Sequence, residues 1–411
     1  MADSLLYVRR WSLPLRSPLV TARGTIAVRD VFVVRLRGAR AGVGEASPLP
    51  GAGTESADDC AAALAAASAW TAIPEEPRAW ASWLEARLPD APAARFGLDL
   101  ALWDAHARRL GLPLAAALRA YLGAEAPPAP PGTTGAGPRA NALLGGPTAD
   151  LGARAAAAVA AGFGWAKLKV AARPREDLAR VRAVRAAAPG LRLRLDANGG
   201  WADAEAAEAA ARPLLAEAGP GVQIEQPVPR RDVAGLAAFV RAVAEPLNAW
   251  PGRGPDAQLV ARAAAGAPAE AASARTSQDA VVVAADESVR TRADGRACLA
   301  AGVGLVLKPM RLGGLLVTLE LAALASAAGR SAWLTTTLDG AIATAATAHL
   351  AAAADPHGRY AHGLATSSLL QRDVGPPLPV VGGTLPLPDL PGHGVAPFPV
   401  SARANDPDGA P

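Results

Sequence analysis

The chain has 411 residues, 51% hydrophobic and 19% charged, which is long enough for two domains and rich enough to bury a large core. Its net charge of +4 comes from scattered arginines, with no basic stripe interleaved with aromatics, so a nucleic-acid partner is excluded. Cys60 and Cys298 are too far apart, with no CxxC, for a disulfide framework or a zinc site. No apolar run of about 18 residues reads as a membrane span. The opening "MADSLLYVRRWSLPLRSPLV" lacks the apolar centre of a signal peptide. The expectation is a soluble cytoplasmic protein with no membrane partner.

Residues 5–47 alternate apolar and polar, and "DVFVVRLRGARAGVGEA" reads as a hairpin. Residues 56–122 have helical periodicity, including "RFGLDLALWDAHARRLG", which stops at a glycine. Residues 1–125 therefore read as an α+β domain. "APPAPPGTTGAGP" at 126–138 reads as a linker.

From 139 to 365 strands and helices alternate. "RANALLG", "WAKLKV", "LRLRLDAN", "VQIEQP", "AVVVAADE", "VGLVLKP" and "AWLTTTL" are the strands, with helices between most of them. Alternation of this length predicts a parallel sheet, and seven or eight units predict a closed TIM-like barrel. An open doubly wound sheet also alternates, but no GxGxxG follows a strand. Residues 245–280 interrupt the rhythm as a Pro/Gly/Ala-rich insertion before a strand, which places it on the barrel face away from the chemistry. Residues 366–411 read as a C-terminal segment packing on the first domain, with a Pro-rich tail.

Of 41 Lys plus Arg, only three are lysine: Lys167 and Lys169 in "GWAKLKVA", and Lys308 in "LVLKP". Each stands at the C-terminal end of a predicted strand, where barrels place catalytic groups. Asp196 (followed by Asn198), Glu225, and Asp286 with Glu287 stand at three further strand ends. A lone acidic residue at a strand end is ordinarily a cap or a solvated loop residue. A lone lysine is ordinarily surface. Charged ends in five successive units are hard to explain by stability, because buried charges are costly.

Residues two apart on a strand face the same side, so Lys167 and Lys169 are both expected to point into the barrel. Asp196, Glu225 and Asp286 are expected to converge on one point. Three carboxylates without His or Cys suit Mg²⁺, or Mn²⁺ in its place, better than Zn²⁺.

"WAKLKV", "LRLDANGGW", "VQIEQP", "AADESV" and "LVLKPMRLGG" resemble the enolase superfamily, muconate-lactonizing subgroup. The resemblance covers most of the chain, including the "PLRSPLVTARG" and "GEASPLPGAGTES" loops. Within the subgroup, "ARFGLDLALWD", "NALL", "TTTLDGAIATAATAHLAAA" and "HGLATSSLL" are similar to o-succinylbenzoate synthases of menaquinone biosynthesis. The 61 residues from Glu225 to Asp286 exceed the family's usual spacing, and the insertion accounts for them.

The resemblance implies a modified (β/α)7β barrel with an N-terminal capping domain. It implies Mg²⁺-dependent removal of a proton α to a substrate carboxylate, here in a dehydration that yields 2-succinylbenzoate. Asp196, Glu225 and Asp286 would hold the metal, oriented by Asn198 and Glu287. Lys169 would be the base and Lys167 would tune it. Lys308 would stay protonated and stabilise the intermediate from the opposite face, partly by cation–π contact with the ring. Arginine cannot serve as the base, since its pKa exceeds about 12. Thr21, Arg23, Gly51 and Thr54 would lie in lid loops, and Ser367 and Ser368 would meet a substrate carboxylate.

Two lysines on opposite faces also suit a racemase or epimerase acting on N-acylamino acids or dipeptides, so that alternative stays open. Dipeptide epimerases carry an Asp-x-Asp near the last strand, which "AHGLATSS" lacks. Mandelate-racemase chemistry would want a histidine on the seventh strand, and "AWLTTTLDG" has none. A small carboxylate substrate and a second copy of the chain are the expected partners.

Overall fold

A computed structural model describes residues 5–21, 24–37, 41–123, 137–171, 173–243 and 281–399. The expected insertion at 245–280, Arg23, and most of the expected linker at 126–138 lie outside these residues.

The N-terminal part is a three-stranded antiparallel sheet, β1 (Leu6–Thr21), β2 (Gly24–Leu36) and β3 (Gly42–Ala46), with four helices. These are α1 (Ala57–Ala67), α2 (Pro77–Arg87), α3 (Pro92–Leu110) and α4 (Leu114–Tyr121). Proline presets the first turn of α3, and Gly111 closes it in the left-handed conformation, at φ 66°. Helix α3 lies directly on β3, and glycine permits the approach: a Cβ on Gly44 would stand 2.0 Å from the Gly97 carbonyl oxygen.

The second part is a curled parallel sheet in the order β10-β9-β8-β7-β6-β5-β4. Its elements run β4 (Ala142–Leu144), α5 (Thr148–Ala160), β5 (Trp165–Lys169), α6 (Pro174–Ala187), β6 (Arg192–Asp196), α7 (Ala204–Ala218), β7 (Gln223–Glu225), α8 (Val233–Val243) and β8 (Val282–Ala285). They continue as α9 (Arg292–Ala300), β9 (Gly304–Leu307), α10 (Pro309–Leu312), α11 (Leu315–Ala327), β10 (Ala332–Leu334) and α12 (Ala341–Ala354). Strands buried on both faces read as apolar runs, and Leu193, Leu195, Ile224, Leu305 and Leu307 are fully buried.

Seven strands form the sheet among the described residues; the expected eighth is reduced to two bridges. Ala140 pairs with His362, and Thr335 with Gly363, so residues 362–363 join the two edges and close the barrel. The expected "AWLTTTL" strand ends early, at Leu334. Thr337 donates its backbone N–H (3.2 Å) and its hydroxyl (2.5 Å) to Asp339 Oδ1, and Leu338 takes φ 61°, so the chain turns instead of extending. The C-terminal segment returns to the first part: Leu370 bridges Leu15, Gly392 bridges Pro113, and His393 N–H donates to Asp104 at 3.0 Å. Among the described residues no helix is long and apolar enough to cross a membrane.

Candidate active site

The register of the parallel strands stacks the charged residues in rows. Lys169 pairs with Asp196, Asp196 with Glu225, and Glu225 with Ala284. Asp286 lies two residues beyond Ala284, on the same face. The row beneath pairs Lys167 with Arg194 and Arg194 with Gln223. A cavity of about 280 Å³ opens at the strand C-terminal ends, room for a small molecule. Lys167, Lys169, Asp196, Asn198, Asp286, Glu287 and Lys308 all line it. Glu225 is fully buried beneath.

The two lysines of "KLK" differ in their surroundings. Lys169 is exposed to the cavity. Lys167 reaches up from the lower row to Asp196, at 2.9 Å, and to Glu225. Burial works against its charge, but Asp196, Glu225 and Asp286 together outweigh that and raise its pKa. Lys167, expected to tune its neighbour, is thus held as a cation one row below Lys169.

Lys308 donates to both oxygens of Asp286, at 2.5 and 2.6 Å, and Arg311 donates to Oδ1 at 3.0 Å. Burial disfavours ionised Asp286, but Lys308, Arg311 and Lys167 hold its carboxyl below the usual range. Strands β5 and β9 are four places apart in the sheet order, so Lys169 and Lys308 stand on opposite sides of the cavity.

Asn198, at φ 48°, donates from its backbone and side chain to Asp196 (3.0 and 3.1 Å) and from Nδ2 to Glu287 Oε1 (3.2 Å). Glu287 Oε2 is buried without a hydrogen-bond partner. Burial, then Asp286, raises its pKa, with Lys308 opposing.

Asp196, Glu225 and Asp286, expected to converge on one point, stand at adjacent strand ends around the Lys167 ammonium. Among the described residues no three His, Cys, Asp or Glu side chains are gathered as a metal-holding group. The ammonium groups of Lys167 and Lys308 and the Arg311 guanidinium answer the carboxylates instead. The donor set still fits a hard divalent cation. It is all oxygen, it clusters at the ends of adjacent strands, and it includes the orphaned Glu287 oxygen.

Around the rim stand the expected specificity residues. Gly51 lines the cavity with Leu49 and Ala52. Thr54 does not; its hydroxyl accepts from Leu49 N–H at 2.6 Å and holds that loop. Thr21 ends β1, paired with Gly24. Ser367 and Ser368 start a short 3-10 turn and do not line the cavity. Ala365 and Thr366 do, because the chain that closes the barrel at 362–363 brings the residues just after it to the mouth.

Sequence reasoning missed four residues. Arg311 sits three past Lys308, on a one-turn helix whose position no pattern announces. Arg194 lies two before Asp196, and that inward spacing was a usable signal. Trp333, whose indole N–H donates to Glu225 Oε1, and Arg29, which donates to the Leu338 carbonyl, gave none.

Comparisons with known proteins agree with this architecture. The model for the mandelate racemase / muconate lactonizing enzyme N-terminal domain matches residues 5–118, and the enolase C-terminal domain-like model matches 150–249 and 265–399. An aromatic dipeptide epimerase of Herpetosiphon aurantiacus is 29% identical over 93% of this chain and 96% of its own. An o-succinylbenzoate synthase of Mycobacterium ulcerans is 34% identical, but over 58% of this chain and 59% of its own. The solved dipeptide epimerase of Methylococcus capsulatus, complexed with Mg and the dipeptide L-Arg-D-Lys, superposes with a TM-score of 0.73 at 28% identity, covering 96% of this chain and 99% of that one. Two domain models in series, over a capped barrel with charged strand ends, show that the chain belongs to the enolase superfamily, whose members are enzymes.

Proposed function

We propose that this enzyme removes a proton α to a substrate carboxylate with Mg²⁺ (or Mn²⁺) bound, and that its reaction is the dehydration performed by o-succinylbenzoate synthases. Asp196, Glu225 and Asp286 would hold the metal, which supplies positive charge that binds the substrate carboxylate and stabilises the charge developing on it. Asn198 orients Asp196. Lys169, open to the cavity, takes the α-proton, and its ammonium returns a proton to the departing hydroxyl. Lys308, four strands away and donating to Asp286, faces the developing charge from the other side. Lys167 stays charged and fixes Asp196 and Glu225.

One observation carries the choice of substrate. The carboxylates among the described lining residues are Asp196, Asp286 and Glu287, all in the charged cluster. The opposite wall, Thr335–Leu338 with Gly363, Ala365 and Thr366, offers hydroxyls, methyls and backbone. A dipeptide's free ammonium has no carboxylate there to hold it. A succinyl carboxylate would meet the threonine hydroxyls of that wall. The second reading is a dipeptide epimerase, favoured by the nearly full-length likeness to the Herpetosiphon protein and by two lysines placed for a two-base exchange.

The test supplies Mg²⁺-loaded protein with 2-succinyl-6-hydroxy-2,4-cyclohexadiene-1-carboxylate and follows the absorbance of 2-succinylbenzoate, with L,L-dipeptides run in parallel for epimerisation. Dehydration is expected. Epimerisation of dipeptides without dehydration would replace the first reading by the second.

A further inference from the structure

Beneath the cavity the barrel floor holds a polar assembly that the proposed chemistry does not use. Arg194, fully buried, spends its donors on Gln223 Oε1 (2.7 Å), Asn141 Oδ1 (3.0 Å) and the Ala361 carbonyl (2.7 Å). Burial pulls its pKa down to about 10, with Glu225 and Asp196 opposing, so it remains a cation at neutral pH. Its guanidinium lies over the Trp333 ring at 4.1 Å. Trp333, also fully buried, donates its indole N–H to Glu225 Oε1 at 2.9 Å, while Arg194 Nε stays 3.6 Å from that oxygen. The other oxygen, Oε2, meets Lys167.

From this we infer that Trp333 is a positioning residue for Glu225 and sets the divalent-cation affinity of the site. The inference rests on the proposed metal role of Glu225. A buried carboxylate oxygen must be hydrogen-bonded. Arg194 Nε, at 3.6 Å, pairs with Oε1 in charge but lies beyond hydrogen-bond reach. The neutral indole N–H makes the hydrogen bond and adds no further positive charge. It also fixes the carboxylate plane, so that Oε2 is the oxygen turned toward the cluster. The stacked Arg194, held by three bonds, locks the indole in turn. Trp333 does not line the cavity, so it acts only through Glu225.

The experiment measures Mn²⁺ binding by calorimetry and electron paramagnetic resonance for wild type, Trp333→Phe and Trp165→Phe. Phenylalanine keeps an aromatic ring beside Arg194 but removes the N–H together with part of the ring volume. Trp165 lies 5.9 Å from the same guanidinium and serves as the control. Trp333→Phe is expected to weaken Mn²⁺ at least about tenfold, as loss of ligand-orienting groups does, and to lower the melting temperature in chelator, since it opens a cavity and unpairs Glu225 Oε1. Trp165→Phe should bind like wild type. Equal affinity in Trp333→Phe and wild type overturns the inference while leaving the metal site standing. A wild type that binds no Mn²⁺ overturns both. Should Trp333→Phe not fold, ¹⁵N-indole spectra of the wild type give the same test. An indole proton that shifts on Mg²⁺ addition is expected, and nine unmoved signals overturn the inference.

Discussion

The two sides of the cavity differ in how the chain builds them. On the charged side each group stands at the end of its own strand, so parallel register alone brings Lys169, Asp196 and Glu225 into one row. On the threonine side the chain has already left its strand at Leu334, and the N-terminal domain holds the wall. Arg29 of β2, only 3% exposed, donates from Nε to the Leu338 carbonyl at 3.2 Å. It also donates to the Ser47 and Pro48 carbonyls, at 2.8 and 2.7 Å. Glu45 accepts from the first amides of α12, Gly340, Ile342 and Ala343, at 2.6 to 3.1 Å. Burial, then Asp373, pushes Glu45 up to about 8. On the proposed reading the two sides divide the work: the barrel strand ends carry the chemistry, and the capping domain braces the wall that meets the substrate.

The sharpest way to break that division is at the base. Lys169→Arg keeps the charge but cannot release a proton near neutral pH, and should lower kcat by about 10³-fold with an unchanged circular dichroism spectrum. Near-normal kcat would refute Lys169 as the base. On the other side, Arg29→Met removes three donors from buried carbonyls. It should cost about 3 kcal/mol in urea unfolding and raise KM about tenfold with kcat within about threefold. A fall in kcat at constant KM would mean that the strut serves the chemistry after all.

Thr335→Val tests the wall more gently. Thr335 is 6% exposed, lines the cavity, and its hydroxyl has no hydrogen-bond partner. Stability should hold or rise by about 1 kcal/mol in a thermal melt, while KM rises about fivefold if the hydroxyl binds substrate, a loss of about 1 kcal/mol. A KM equal to wild type would show that the hydroxyl does not serve the substrate.

The smallest effect concerns a histidine remote from both jobs. Burial, then His393, lowers His349 to about 3. Between the unfolded value of about 6.5 and that folded value, the unfolded chain binds a proton the native state refuses. Stability from this group is therefore present above about pH 6.5 and declines toward pH 3, by up to about 1.4 kcal/mol per pH unit. His349→Gln should flatten the urea midpoint over that window, and an identical slope in the variant would contradict the assignment.

What the sequence made legible follows the same division. The charged ends were readable because a strand end is a fixed place in a periodic fold, and because lysine is so scarce here. Periodicity put Lys167 and Lys169 on one face but could not show that Lys167, one row lower, would be taken up by Asp196 and Glu225. The wall was poorly legible. Threonines in "AWLTTTLDG" look like strand residues until Asp339 turns the chain. Ser367 and Ser368 were two residues off because nothing local fixes where the barrel closes. The Arg29 contact spans 309 positions, beyond the reach of any pattern.

The central claim, that the wall accepts a substrate without a free ammonium, has one direct measurement. Mg²⁺-loaded wild type is given an L,L-dipeptide and an N-succinylamino acid of matched side chain, and deuterium incorporation α to the carboxylate is followed in D₂O. The account predicts exchange of the succinylated substrate with kcat/KM at least about 10²-fold the higher, the scale of a lost charge-assisted contact of about 3 kcal/mol. Faster exchange of the free dipeptide would contradict it.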